Sequence, residues 1–273
     1  MAESSSSLAT KLLNIKDYSD LTLECDEQEF RVHRATVCAQ SPVIAAALRG
    51  DFMEAKMGVL HMSFDIDSVR RLIEFMYSGD YQISYNPALD ILASSAPSKN
   101  CTAEKQAKEI EIVDDSVDNT AKLDMSIDVL EPSESISGRL LFHGRMNSIA
   151  DYYDVSALAK LSTARVKEIL AKEWSVEPFC NLLQQCIGST SDKDFLRMLG
   201  AEAVEHVGEL SERNFFDEGG LAEGLAPYAL PYCAQRLKTA EGRGRGLESS
   251  LLFEKEAGLY LISQKMHVDR IFY

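Results

Sequence analysis

Apolar and polar residues alternate in the first part of the chain, and the period changes several times. Leu21, Leu23 and Cys25 alternate with Thr22 and Glu24, the period-2 pattern of a half-buried strand. After the polar turn Asp26–Gln28, Phe30 and Val32 alternate with Glu29 and Arg31, which predicts a hairpin. A helical stretch follows from about Ala35 to Gln40. Ser41 then stands as an N-cap with Pro42 in the first turn, where its missing N–H costs nothing. Val43, Ile44, Ala47 and Leu48 fall on one face of that helix, and Gly50 closes it. Val59 to Met62 predicts a short strand. Asp67 and Ser68 offer the next cap, for a helix carrying Val69, Leu72, Ile73 and Met76 up to Gly79, with Tyr81 and Ile83 as a further short strand. Strands and helices are intermixed, which makes the block α+β.

Helical periodicity returns from Met146. Ile149, Tyr152 and Tyr153 lead into a turn at Asp154–Ser156, followed by Leu158, Leu161, Val166, Ile169 and Leu170. Phe179, Leu182, Leu183, Cys186 and Ile187 sit at i, i+3, i+4, i+7 and i+8, a buried stripe. Leu196, Leu199, Ala203, Val207 and Leu210 repeat it. Past Gly219 the Gly, Pro and Arg content rises, Gly242–Gly246 reads as a loop, and Leu251–Tyr273 is apolar without an assignable period. At the other end, residues 1–7 read as a disordered tail, and Leu8, Leu12, Leu13 and Ile15 predict a short amphipathic helix behind it.

Composition changes the picture between Asn86 and Arg139. Ser, Pro, Asp and Glu dominate there, aromatics are absent, and the apolar residues are scattered. Cys101–Ser137 alone holds ten acidic residues against three lysines, in a chain of net charge −15. Such a segment buries too little apolar surface to offset its ordering entropy, and it is expected to be a flexible acidic insert. The overall charge argues against nucleic-acid and anionic-membrane surfaces, which need clustered Lys and Arg. The six cysteines show no CxxC pair, and no apolar block resembles a secretory signal or a membrane span. Reduced thiols in cytosol or nucleus are the simplest expectation.

Ser19-Asp20-Leu21-Thr22-Leu23, Phe30-Arg31-Val32-His33-Arg34 and Ser41-Pro42-Val43-Ile44 closely resemble the opening of a BTB/POZ domain. Leu72-Ile73-Glu74-Phe75-Met76-Tyr77-Ser78-Gly79-Asp80-Tyr81 resembles its later helix, in the form common among filamentous-fungal members. Ile149 to Leu158 looks like the helix pair that completes the domain. The resemblance implies a small mixed sheet flanked by helices, with Asp20, Phe30, His33, Ser41, Pro42, Tyr77 and Gly79 as its fold signature. It further implies an N-terminal tail and helix over residues 1–16, a BTB domain over 17–172 interrupted by the insert at about 86–139, and a C-terminal all-helical extension over 173–273.

The resemblance implies an interaction module rather than an enzyme. Phe52-Met53-Glu54 resembles the apolar–x–Glu motif by which many BTB adaptors engage a cullin scaffold: the apolar side chain enters a partner pocket and Glu54 supplies a rim contact. The bland alternative is that Phe52 packs locally and Glu54 is merely solvated. Two functions follow, a substrate-recruiting adaptor of a cullin-RING ubiquitin ligase, or an oligomerising scaffold or transcription-associated regulator with no ligase role. Self-association is expected to be weak, because few residues precede Leu12. No client-binding module is recognisable.

Other constellations favour structural roles. Asp20 and His33 are expected to satisfy buried backbone groups rather than to catalyse. His33, His61, His143, His206 and His267 form no HxxxH or HExxH pattern, and Cys186 fits an apolar face better than a metal site. No nucleophile elbow, Walker loop or dinucleotide fingerprint is present. Two arginines in Gly242–Gly246 are feeble support for RNA contact, and Asp65 with Asp67 reads as a helix-start cluster. No metal, organic cofactor, nucleic acid or membrane is expected as a ligand.

Overall fold

The computed structural model describes residues 12, 17–84, 93–95, 135–212 and 221–242. The alternation read in the sequence produces the expected hairpin of β1 (Leu21–Cys25) and β2 (Gln28–Val32), paired Leu21 with Val32 and Leu23 with Phe30. Leu21, Leu23, Cys25, Phe30 and Val32 are all buried on one face. Asp26 turns the chain with φ +52°, a left-handed conformation that a short polar side chain tolerates.

Three helices then cross over to β3 (Val59–His61), which runs parallel to β1: α1 (Arg34–Gln40), α2 (Pro42–Ala47) and α3 (Met53–Met57). The sheet is mixed, with strand order β3-β1-β2-β4, and β4 (Ala93–Ser95) lies antiparallel to β2. The fold class is therefore the expected one, a small mixed sheet with helices against it.

Several expectations need correction. Within the stretch expected as an insert from about Asn86, Ala93–Ser95 adds a short edge strand to the sheet. The insert was expected to reach Arg139, with helix resuming at Met146, yet α5 spans Ile136–Tyr152 behind an N-cap in which Ser135 accepts from the Gly138 amide. Its remainder, residues 85–92 and 96–134, lies outside the described residues. Tyr81 and Ile83 form no strand. Helix α4 (Ile66–Ser78) is capped by Asp65 rather than Asp67 or Ser68: the Asp65 carboxylate accepts from the Ser68 amide at 2.9 Å and the Ser68 hydroxyl at 2.7 Å. Gly79 ends that helix at φ +76°, where a Cβ would be strained. Of the N-terminal helix only Leu12 is described, helical and half-buried against the core; Leu8, Leu13 and Ile15 fall outside.

The C-terminal part is helical, as expected: α6 (Ser156–Lys172), α7 (Val176–Cys186), α8 (Lys193–Glu205), α9 (Val207–Glu212) and α10 (Leu221–Gly242). Helix α10 occupies a stretch with no readable period and contains Pro227 and Pro231. Arg243–Gly246 and Leu251–Tyr273 lie outside the described residues.

Two apolar cores meet at the α5–α6 pair. Phe142, Met146, Ile149, Tyr153 and Leu158 join the core of the sheet with Leu23, Phe30, Leu72 and Met76. Leu140, Val166 and Leu170 join a second core with Phe179, Leu182, Phe195 and Leu199. Helix α5 thus has apolar neighbours on opposite sides. A backbone bridge fixes it to the first block: Ser41, fully buried, donates its hydroxyl to the Tyr153 carbonyl at 2.6 Å and accepts from the Ile44 amide at 3.0 Å. Small residues allow the close helix crossings. A Cβ on Gly144 would lie 2.7 Å from the Leu182 side chain, and one on Gly200 would lie 2.8 Å from the Tyr228 backbone.

Candidate partner-binding surface

Phe52, Met53 and Glu54 sit at the start of α3, a helix of five residues. Gly50, at φ +83°, turns the chain out of α2, and Phe52 becomes the N-cap residue of α3. Gly58 closes the helix at φ +64° by donating its amide to the Glu54 carbonyl at 2.9 Å. The Gly58 carbonyl then accepts from the Thr22 amide at 2.8 Å, which ties the helix end to β1. The backbone of α3 is therefore held by the sheet while its side chains are not: it carries no buried residue.

Phe52 is 64% exposed, Met53 65% and Met57 62%. Met53 and Met57 are four residues apart, hence on the same side of a helix. Met57 was not singled out from the sequence, although the Met-x-x-x-Met spacing was there to read. Glu54 is half-buried in the first helical turn, where a negative charge is favoured by the exposed amides. The alternative in which Phe52 packs locally does not match this geometry. The nearby Lys56–Asp51 pair, 3.9 Å apart and well exposed, adds charge around the patch but little energy.

The fold-signature residues lie elsewhere and hold the backbone. The Asp20 carboxylate accepts from the Arg34 amide at 2.7 Å, satisfying a free N–H in the first turn of α1. His33 does not pair with Asp20: its amide donates to the Tyr77 hydroxyl at 2.8 Å, and its Nδ1 lies 2.8 Å from the same oxygen. Burial pushes the Tyr77 hydroxyl up to about 12, so it stays protonated. Phe30 is core, Ser41 and Pro42 start α2, and Gly79 ends α4. These residues fix α1, α2 and α4 around the sheet; none of them lines the α3 patch.

A second polar cluster had no counterpart in the sequence reading. Tyr81 and His143, 62 residues apart, join through the tyrosine hydroxyl and Nδ1 at 2.8 Å. The guanidinium of Arg165 lies 4.1 Å from the centre of the Tyr81 ring, donates to the Tyr81 carbonyl at 2.6 Å and pairs with Asp80. Burial first, then the charges of Arg165 and Arg139, push the His143 imidazole down to about 3. It is neutral at physiological pH.

Among the described residues no three His, Cys, Asp or Glu side chains gather as a metal site, and no helix is long and apolar enough to cross a membrane. Among the described residues Cys25, Cys38, Cys180, Cys186 and Cys233 form no disulfide, and burial raises the Cys186 thiol to about 12, which makes it a packing residue.

Comparison with known proteins covers the sheet and its crossover helices. Residues 9–99 match the BTB/POZ domain. The chain carries a BTB/POZ domain. Over 80 residues it is 31% identical to Protein abrupt of Drosophila melanogaster, a match covering 29% of this chain and 9% of that protein. The chain thus spans a small fraction of that relative's length. BTB domains are modules of protein–protein interaction and self-association. The matched residues end before α5, although the first core continues into α5 and α6.

Proposed function

We propose that this chain is an adaptor that works by binding proteins rather than by catalysis, and that its α3 patch receives a cullin scaffold. One observation carries the reading: Phe52, Met53 and Met57 expose large apolar side chains together on a backbone that the sheet holds in place. A preformed apolar knob with a carboxylate beside it suits a partner groove, because little ordering entropy remains to be lost on binding. Phe52 is the anchor, Met53 and Met57 extend the apolar contact, and Glu54 supplies a charged rim.

On this reading the BTB domain runs from about Asp17 to Lys172, because α5 and α6 complete its core. The helices from residue 173 onward recruit the client, held rigidly through the second core that α5 and α6 share. The chain then acts in cytosol or nucleus as a subunit of a cullin-RING ubiquitin ligase. Co-purification with the cullin N-terminal region, alongside a mass measurement of the chain alone, tests it. A stable one-to-one complex with a monomeric or weakly dimeric chain is expected. A tight dimer at nanomolar concentration that ignores the cullin would transfer the function to an oligomerising scaffold.

A further inference from the structure

A cleft of about 460 Å³ opens between the loop Gln82–Ser84, α5 and α6, away from the α3 patch. Arg139, His143, Arg165 and Lys172 line it as donors, with Glu168 and Glu173 as acceptors. In a chain of net charge −15, three cationic side chains and a histidine around one cavity are out of character.

Two donors on residues that line this cleft have no partner among the described residues. The Nε of Arg139 is buried and has no hydrogen-bond partner among the described residues. A buried donor without an acceptor is costly, so the arrangement invites an acceptor from outside. His143 is 4% exposed; its Nδ1 is taken by the Tyr81 hydroxyl, and its Nε2 has no partner among the described residues. Arg165 lies over the Tyr81 ring and donates to its backbone carbonyl, so the phenol oxygen faces His143 Nδ1. With the Tyr81 hydroxyl donating to Nδ1, the neutral imidazole would carry its proton on Nε2, as a further donor beside the cleft.

The carboxylates present do not fill this role. Glu173 pairs with Arg139 at 2.5 Å through the terminal nitrogen, not through Nε. Glu168 pairs with Lys172 at 2.6 Å, and Asp80 with Arg165. All three carboxylates are partly open to water, at 42–63% side-chain exposure, where such pairs exchange for another anion. We propose that this cleft is an oxyanion-binding site, taking a phosphate or carboxylate group, free or carried on a peptide side chain. The Arg139 guanidinium, turning from Glu173 to bring its Nε to the anion, holds one oxygen, while His143 Nε2 and the Lys172 ammonium reach others.

The test uses the full chain with inorganic phosphate as probe, at constant ionic strength with chloride as control. Binding is read by thermal shift and by the NMR signal of the His143 ring. Saturable stabilisation by phosphate, with movement of that signal, is expected. Arg139→Lys keeps the charge and removes Nε; it should weaken binding by about tenfold, the loss of one charge-assisted bond. Lys172→Gln alters an exposed side chain and should weaken it several-fold without changing the fold, which keeps the test valid if Arg139→Lys unfolds. A phosphoserine peptide binding tighter than phosphate identifies a peptide-borne ligand, and equal binding identifies a free ion. No saturable binding, or variants that fold and bind as the wild type does, would overturn the site.

Discussion

Acid should destabilise this protein through His143 before most of its carboxylates are protonated. In the unfolded chain the imidazole takes up a proton near pH 6.5, whereas burial beside Arg165 and Arg139 holds it neutral in the folded state down to about pH 3. Between those values the unfolded state binds one more proton, so stability is complete above pH 6.5 and falls as pH drops toward 3. At about 1.4 kcal/mol per pH unit, lowering the pH to about 4.5 removes on the order of 2–3 kcal/mol. That is a large share of the roughly 5–15 kcal/mol typical of a folded chain. The perturbation is His143→Gln, which keeps a hydrogen-bonding group near Tyr81 and cannot titrate in this range. Urea unfolding of both proteins at a series of pH values gives the comparison. The wild type should lose about one proton's worth of slope that the variant does not. Parallel stability curves for the two proteins would refute the reasoning, whatever their absolute stabilities.

Ser41→Ala should destabilise the chain by about 2–3 kcal/mol, since it removes an N-cap and leaves the buried Tyr153 carbonyl without its donor; chemical denaturation checks it, and a loss below about 0.5 kcal/mol, the scale of a surface change, would contradict it. Gly200→Ala should force α8 away from α10, because the new methyl meets Tyr228 backbone rather than a yielding side chain. Faster proteolysis within α10 is expected, with the BTB region unaffected.

The hairpin was legible because one face of each strand is buried and the other is not, so Leu21, Leu23, Cys25, Phe30 and Val32 kept a strict period. The stripe on α7 was legible for the same reason. Helix α5 defeated the same argument. Leu140 belongs to one core and Phe142 and Met146 to the other, and His143 and Asn147 are buried among them, so no polar face marks the helix. Strand β4 is three small residues whose place depends on β2, a partner more than 60 positions earlier. In α10, Pro227 and Pro231 read as helix breakers, yet packing of Leu225 and Ala229 into the second core overrides them. The α3 patch was found from a motif rather than a period, because a five-residue helix is too short to show one. The cleft around His143 was invisible, since its donors are drawn together only by the fold.

The most direct test of the adaptor account is the affinity of the folded chain for the cullin N-terminal region, compared between wild type and Phe52→Ala. Truncating an aromatic anchor typically costs ~2 kcal/mol or more, at least about 30-fold in Kd. Phe52 is exposed in the free chain, so the substitution should leave the thermal midpoint close to wild type. Glu54→Ala should cost less, because a rim charge is partly screened by water and salt. The account predicts measurable wild-type binding and a loss of at least about 30-fold in folded Phe52→Ala. Equal binding by both proteins, or binding by neither, would contradict it.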